Sequence, residues 1–99
     1  MIFDLEITDP AAWEEYRRTA GPLMAAAGGR FLVRGEKVEV LAGDWQPATI
    51  SVVEFPSFEA ARDFYHSEAY QKTLPLRERA ARGSGILVGS TPLPEAQQG

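Results

Sequence analysis

The chain has 99 residues, 44% of them apolar and 24% charged, with a formal net charge of −4 and no cysteine. That length supports one domain with a single core, burying roughly 60–70% of the surface of the unfolded chain. The acidic balance, with no basic stripe interleaved with aromatics, argues against nucleic acid as a partner, and the missing cysteines exclude disulfides and thiolate chemistry. No apolar run approaches the roughly 20 residues of a membrane-spanning helix. The first residues read as a strand, not as a basic region followed by an apolar one, so the expected location is the cytosol, with no membrane partner.

Met1 to Ile7 alternates, placing Phe3, Leu5 and Ile7 on one face and Ile2, Asp4 and Glu6 on the other, the pattern of a strand. Asp9-Pro10 is a helix start, because aspartate caps free amides and proline is preset for the first helical position. Trp13, Tyr16, Ala20, Leu23, Met24 and Ala27 then recur at helical spacing, predicting a helix over residues 10–27, bent near Gly21-Pro22 and ended by Gly28-Gly29. The glycine pair follows a helix and does not lead from a strand into one, so it is a poor phosphate loop. Arg30 to Arg34 is the second strand; Gly35-Glu36 makes a turn or bulge, and Lys37 to Leu41 continues as an extended arm. Residues 43–47, Gly-Asp-Trp-Gln-Pro, form a loop.

The third strand carries Ile50, Val52, Val53 and Phe55 with one acid, Glu54, and must stop at Pro56. Ser57 caps the next helix, whose Phe58, Ala61, Phe64 and Tyr65 share one side. Ser67 caps a short turn bearing Tyr70, and Pro75 restarts helix over Leu76 to Arg82 with Gly83 as its stop. The basic residues Lys72, Arg77, Arg79 and Arg82 read first as a solvated helix face. Gly85 to Gly89 is the last strand, which closes a single domain over residues 1–90. The tail from Thr91, with Pro92 and Pro94, has no apolar face of its own and is expected to be mobile or to lie on a partner.

Strand-helix-strand twice over is the ferredoxin-like α+β plan, four antiparallel strands with helices on one face. Right-handed crossovers put the first and third strands in the middle. The other face, with Leu32, Ile50 or Val53 and an apolar residue of the last strand, is left bare, and a face of that size is normally covered. The expected partner is a second copy, in a two-fold homodimer closed face to face.

Several segments together resemble domain-of-unknown-function family 1330: Asp9-Pro10 with Tyr16, residues 27–35 (Ala-Gly-Gly-Arg-Phe-Leu-Val-Arg-Gly), the loop 43–47, Val53-Glu54-Phe55-Pro56-Ser57, and Tyr65-His66-Ser67-Glu68-Ala69-Tyr70 with Leu76-Arg77. The resemblance leaves out the tail after Ser90. It implies a dimeric α+β barrel, in a superfamily that also holds antibiotic-biosynthesis-type monooxygenases, muconolactone isomerase-like enzymes and stress-responsive barrel proteins. It implies no reaction, since a fold does not fix a function.

Glu54 is mid-strand among apolar neighbours, where an unpaired acid is costly, so it is expected to have a partner or a cleft. Arg34 on the neighbouring strand is the expected partner. His66, the one histidine, reads first as a helix-end surface residue, with a general base or a haem ligand as the alternatives. Neither it nor any His/Cys spacing suggests a metal, and no cofactor is expected. Tyr65, Tyr70, Trp45 and Arg77 suit an aromatic pocket with a cationic end, fit for a small planar or carboxylated molecule, although such residues are more often core or interface. Asp4 and Glu6 share a face of the first strand, as spacing of two requires, without thereby making a catalytic pair.

Two functions follow. One is a cofactor-independent enzyme performing proton transfer or oxygenation in a cleft between sheet and helices, with Glu54 or His66 as base and Arg34 orienting an anion. The other is a non-catalytic dimeric binding or structural module.

Overall fold

The alternation of the first strand and the serine-capped helices are realised in a computed structural model that describes residues 1–35 and 37–89. The tail from Thr91, and Glu36 of the expected turn, lie outside the described residues. The elements run β1 (Ile2–Ile7), α1 (Pro10–Ala26), β2 (Arg30–Gly35), β3 (Ile50–Glu54), α2 (Phe58–Tyr65), α3 (Glu68–Gln71), α4 (Leu74–Ala80) and β4 (Ala81–Ile86). The strands form one antiparallel sheet in the order β2-β3-β1-β4, so β1 and β3 are central as the crossover rule requires. This is the ferredoxin-like α+β fold.

Period-two alternation sorts the sheet into two faces. Phe3 and Val53 point to the helices and meet Tyr16, Ala20, Met24, Phe64 and Tyr70, which with Met1 make the core. Directly opposed residues share a face. Hence the open face carries Ile2, Asp4 and Glu6 of β1 beside Val52 and Ile50 of β3 and Ile86, Ser84 and Arg82 of β4. Val53 therefore belongs to the covered side, and Ile50, with Val52, is on the open one.

Asp9 caps α1 by accepting from the Ala12 amide at 3.1 Å. Ala12, Tyr16, Ala20 and Met24 are buried at intervals of four, and α1 passes unbroken through Pro22. It ends in a glycine stop: the Gly28 amide donates to the Ala25 carbonyl and the Gly29 amide to that of Met24, with Gly28 at φ +88°.

The structure departs from expectation at the last strand and around β2. The last strand begins at Ala81, immediately after α4, and not at Gly85, and Gly83 lies inside it and does not end a helix. Six opposed pairs, from Ile7 with Ala81 to Ile2 with Ile86, hold β4 on β1, so main-chain pairing outweighs the poor strand propensity of the Arg-Gly-Ser-Gly run. The register shift in β2 lies between Phe31 and Val33, where Leu32 has no opposed residue. Lys37 to Leu41 belongs to no strand, and Leu41 is 88% exposed.

Candidate functional site

The helical stretch after β3 is cut twice, and the cuts aim its side chains. Ser67 turns the chain by accepting from the Tyr70 amide at 3.3 Å while its hydroxyl donates to the Phe64 carbonyl at 2.6 Å. The Thr73 hydroxyl then donates to the Tyr70 carbonyl at 2.6 Å, and Pro75 starts α4. One continuous helix would set Arg77 two turns beyond Tyr70 on the same face, about 10 Å along the axis, and turn Tyr65 away from both. The broken one gathers them.

Arg77 donates through Nη1 to the Tyr70 hydroxyl at 3.1 Å and through Nη2 to the Tyr65 hydroxyl at 3.3 Å. The Tyr70 hydroxyl also shares a hydrogen bond of 2.8 Å with that of Tyr16, which α1 brings from 54 residues away. Its ring is fully buried and packs on Phe64 and Tyr65, with centroids 4.8 and 5.2 Å away. The guanidinium lies 5.4 Å from the Phe3 ring centroid. Burial, and then the neighbouring Tyr70, push the Tyr16 phenol well above its ordinary range, so it stays protonated. Burial disfavours the charge on Arg77, but its hydrogen bonds to Tyr65 and Tyr70 outweigh that and raise its pKa.

Among the described residues no carboxylate lies within ion-pair distance of Arg77; the four ion pairs are Arg17–Glu14, Arg30–Glu54, Lys72–Glu68 and Arg82–Glu6. Beside it, beneath α4 and over the β1–β4 pair, is a cavity of 340 Å³ lined by Phe3, Leu5, Arg77, Glu78, Gly83 and Gly85 among others. Gly83 and Gly85 oppose Leu5 and Phe3, so β4 offers bare backbone on this side. A second hollow, of 410 Å³, lies between α1 and the α2–α3 corner against Leu23, Ala27, Ala60 and Phe64, and is nearly all apolar.

The other residues singled out in the sequence do not join this cluster. Glu54 ends β3 with its side chain 52% exposed, and its partner is Arg30 at 2.7 Å, not Arg34. The pairing register explains the correction: Arg30 opposes Glu54, whereas Arg34, displaced by the irregularity at Leu32, opposes Ser51 and lies over the Phe31 ring at 4.3 Å. His66 is the exposed C-cap of α2, edge-on to Tyr65. Trp45 is 62% exposed, and its indole donates to Asp4 at 2.8 Å. The other Asp4 oxygen accepts from the Ala48 amide, also at 2.8 Å. Asp4 thus straps the loop to the open face, and Glu6 pairs with Arg82 at 3.3 Å. Tyr16 is the site member that the sequence offered as a helical core residue and as part of the family resemblance, without a place in the site; no local signal shows a contact made across 54 positions. Among the described residues no three His, Cys, Asp or Glu side chains are placed to hold a metal ion, and no helix is long and apolar enough to cross a membrane.

The family model described as Domain of unknown function (DUF1330) matches residues 1–91. The chain belongs to that family. Two crystal structures resemble the DUF1330 chain. One, of methylated RPA0582 protein, has 21% identity and a TM-score of 0.66 over 97% of this chain and 83% of that one. The other, of RPA0582, a protein of unknown function from Rhodopseudomonas palustris, has 23% identity and a TM-score of 0.64 over 94% of this chain and 82% of that one. At such identity the likeness establishes the fold that the DUF1330 chain shares with them. No curated protein matches it.

Proposed function

We propose that this chain is a small-molecule-binding protein whose ligand enters the cavity under α4 with an anionic end on Arg77. The observation that carries the reading is the half-buried guanidinium itself. A buried cation is normally paired with a carboxylate; this one is steered by two phenols, which position it without neutralising it, and it borders a 340 Å³ cavity. Guanidinium has five N–H donors, and two are engaged by the tyrosines, so donors remain for a ligand. The hollow is more polar than apolar, with charged side chains and backbone converging beside Phe3 and Leu5, and clefts where polar groups converge are where small molecules are oriented. The catalytic roles considered for Glu54 and His66 draw no support from their exposed positions outside that cavity.

The working unit in this reading is a two-fold homodimer closed through the open sheet face, where Leu32, Val33 and Ile86 are exposed beside the pairs Arg30–Glu54 and Glu6–Arg82. Native mass spectrometry of freshly purified protein tests both parts. A dimer with a small added mass that Arg77→Met removes is the expected result; a monomer defeats the assembly, and retention of the mass in Arg77→Met defeats the site.

The complete burial of Tyr70 favours a second reading, in which the cluster only ties α1 to α3 and α4 within a structural dimer. Under that reading Arg77→Met lowers stability and changes no binding.

A further inference from the structure

On the reading of the Arg77 cavity as a ligand site, we propose that it takes a small, flat monocarboxylate, with the carboxylate on Arg77 and its planar ring laid along the floor formed by Phe3 and the Gly83–Gly85 backbone. Three observations converge on that class, and each concerns a different property of the ligand.

Charge comes first. Arg77 is a cation without a carboxylate of its own among the described residues, so it accepts one negative charge. Arg82 also lines the cavity, but its guanidinium is paired with Glu6 at 3.3 Å. Glu78 lines the same cavity and repels a second negative charge. Dicarboxylates and phosphate dianions are therefore discriminated against by a like charge inside the site, while a monocarboxylate satisfies the planar guanidinium fork.

Shape comes second. Of the three β4 residues on the helix side that line the cavity, Ala81 is small and the other two, Gly83 and Gly85, opposed to Leu5 and Phe3, are glycine. Neither accepts a side chain: a Cβ at Gly85 would run into the Phe3 ring, and one at Gly83 into the Asp4 carbonyl. The floor is consequently an aromatic ring continued by flat peptide backbone, a surface complementary to a planar ring and poorly matched to a puckered one. Leu5 closes its apolar side.

Size is the third. A volume of 340 Å³ stands at the small end of the range of roughly 300–1,000 Å³ for ligand sites, which suits a compact molecule of one or two rings.

The test is a titration of the full-length, ¹⁵N-labelled protein by NMR with four probes: benzoate, cyclohexanecarboxylate, benzamide and phthalate. Benzoate is expected to shift the Gly83 and Gly85 amides saturably, with cyclohexanecarboxylate and phthalate about tenfold weaker and benzamide weaker still, tenfold being about 1.4 kcal/mol. Arg77→Gln is expected to abolish the preference of benzoate over benzamide while the spectrum keeps the native dispersion. Equal binding of cyclohexanecarboxylate or benzamide overturns the planar-carboxylate class yet leaves a ligand site, because Gly83 and Gly85 still respond. Saturation by any probe at residues remote from β4, or no saturation by any of the four up to about 10 mM, a concentration at which small fragments of ordinary efficiency bind, overturns the class and the cavity together. The four-probe series is read on the wild-type protein, so its outcome holds whether or not the variant folds.

Discussion

The first half of the chain crosses from β1 to β2 on a single helix of 17 residues, whereas the second crosses from β3 to β4 on three short ones. The long helix spends its inward face on core residues at intervals of four, and one of them, Tyr16, ends in a hydroxyl. The broken crossover turns at Ser67 and Thr73, and each turn re-aims the side chains that follow. It delivers Tyr65, Tyr70 and Arg77 to one point and leaves a hollow below α4, which the glycines of β4 do not fill. Two halves with the same topological role thus differ in kind: the continuous one packs, and the interrupted one builds a polar cluster beside a cavity. Interruption costs intrahelical hydrogen bonds, and here side-chain hydroxyls of Ser67 and Thr73 satisfy the freed groups.

The contrast can be broken hardest at β4. Gly83 has φ +149°, and a Cβ there meets the Asp4 backbone, so Gly83→Ala is expected to cost about 3 kcal/mol and to loosen the β1–β4 pair, read by chemical denaturation and by faster amide exchange at Leu5 and Ile7. An unchanged unfolding midpoint would show that the bare floor is not required by the backbone. Next is Tyr70→Phe, which removes the oxygen shared by Tyr16 and Arg77. It should destabilise by about 1–3 kcal/mol, since Arg77 loses an acceptor and the buried Tyr16 hydroxyl loses its hydrogen-bond partner. Denaturation of Tyr16→Phe and the double variant completes a cycle, in which additive losses would deny that the two phenols act together.

The same cluster has a pH signature. Burial raises the Tyr16 pKa, so the fold prefers the neutral phenol; the stability it contributes is full below the ordinary tyrosine value of about 10 and is lost as pH climbs from there toward the higher folded value. Thermal unfolding of the wild type is expected to fall steeply above about pH 10, and Tyr16→Phe to flatten that fall. A variant that keeps the full slope would assign the alkaline sensitivity to another group.

Caps sharpen the comparison at smaller amplitude. Asp9→Ala and Ser67→Ala each remove one capping oxygen and should each cost about 1 kcal/mol. Only Ser67→Ala should also alter near-ultraviolet circular dichroism from the tyrosine cluster, because only that cap sets the direction of Tyr70. The smallest effect belongs to Glu54→Gln, whose pair with Arg30 is solvent-screened; about 0.5 kcal/mol or less in denaturation, with the response to benzoate unchanged, is the expected result. A larger loss would return Glu54 to the site.

Local chemistry made much of this legible along the chain. Asp9-Pro10 and Gly28-Gly29 bound α1 because a capping carboxylate, a preset φ and a left-handed residue act within a few positions of themselves. Ser57 and Ser67 mark helix starts for the same reason. Alternation in Phe3, Leu5 and Ile7 assigns the faces of β1, and with the strand-helix order it dictates which strands are central. Tyr65, Tyr70 and Arg77 could be grouped from their aromatic and cationic character, though nothing nearby in sequence distinguishes a pocket from a core.

Pairing across the sheet decided the remainder. Arg30 and not Arg34 meets Glu54 because the antiparallel register sets Arg30 directly opposite it and Arg34 farther along β3, opposite Ser51; the irregularity at Leu32 decides only which face Arg34 takes, since a shift of one residue moves a side chain to the other face. Ala81 to Gly83 are strand because β1 supplies their hydrogen-bond partners, against the weak propensity of the segment. Tyr16 becomes part of the polar cluster only when α1 lies against α3, closing a bond across 54 positions. Each of these depends on a contact remote in the chain, whose energy no residue carries until its partner arrives; caps, turns and periodicities carry theirs within a single turn, and so could be read before the fold was known.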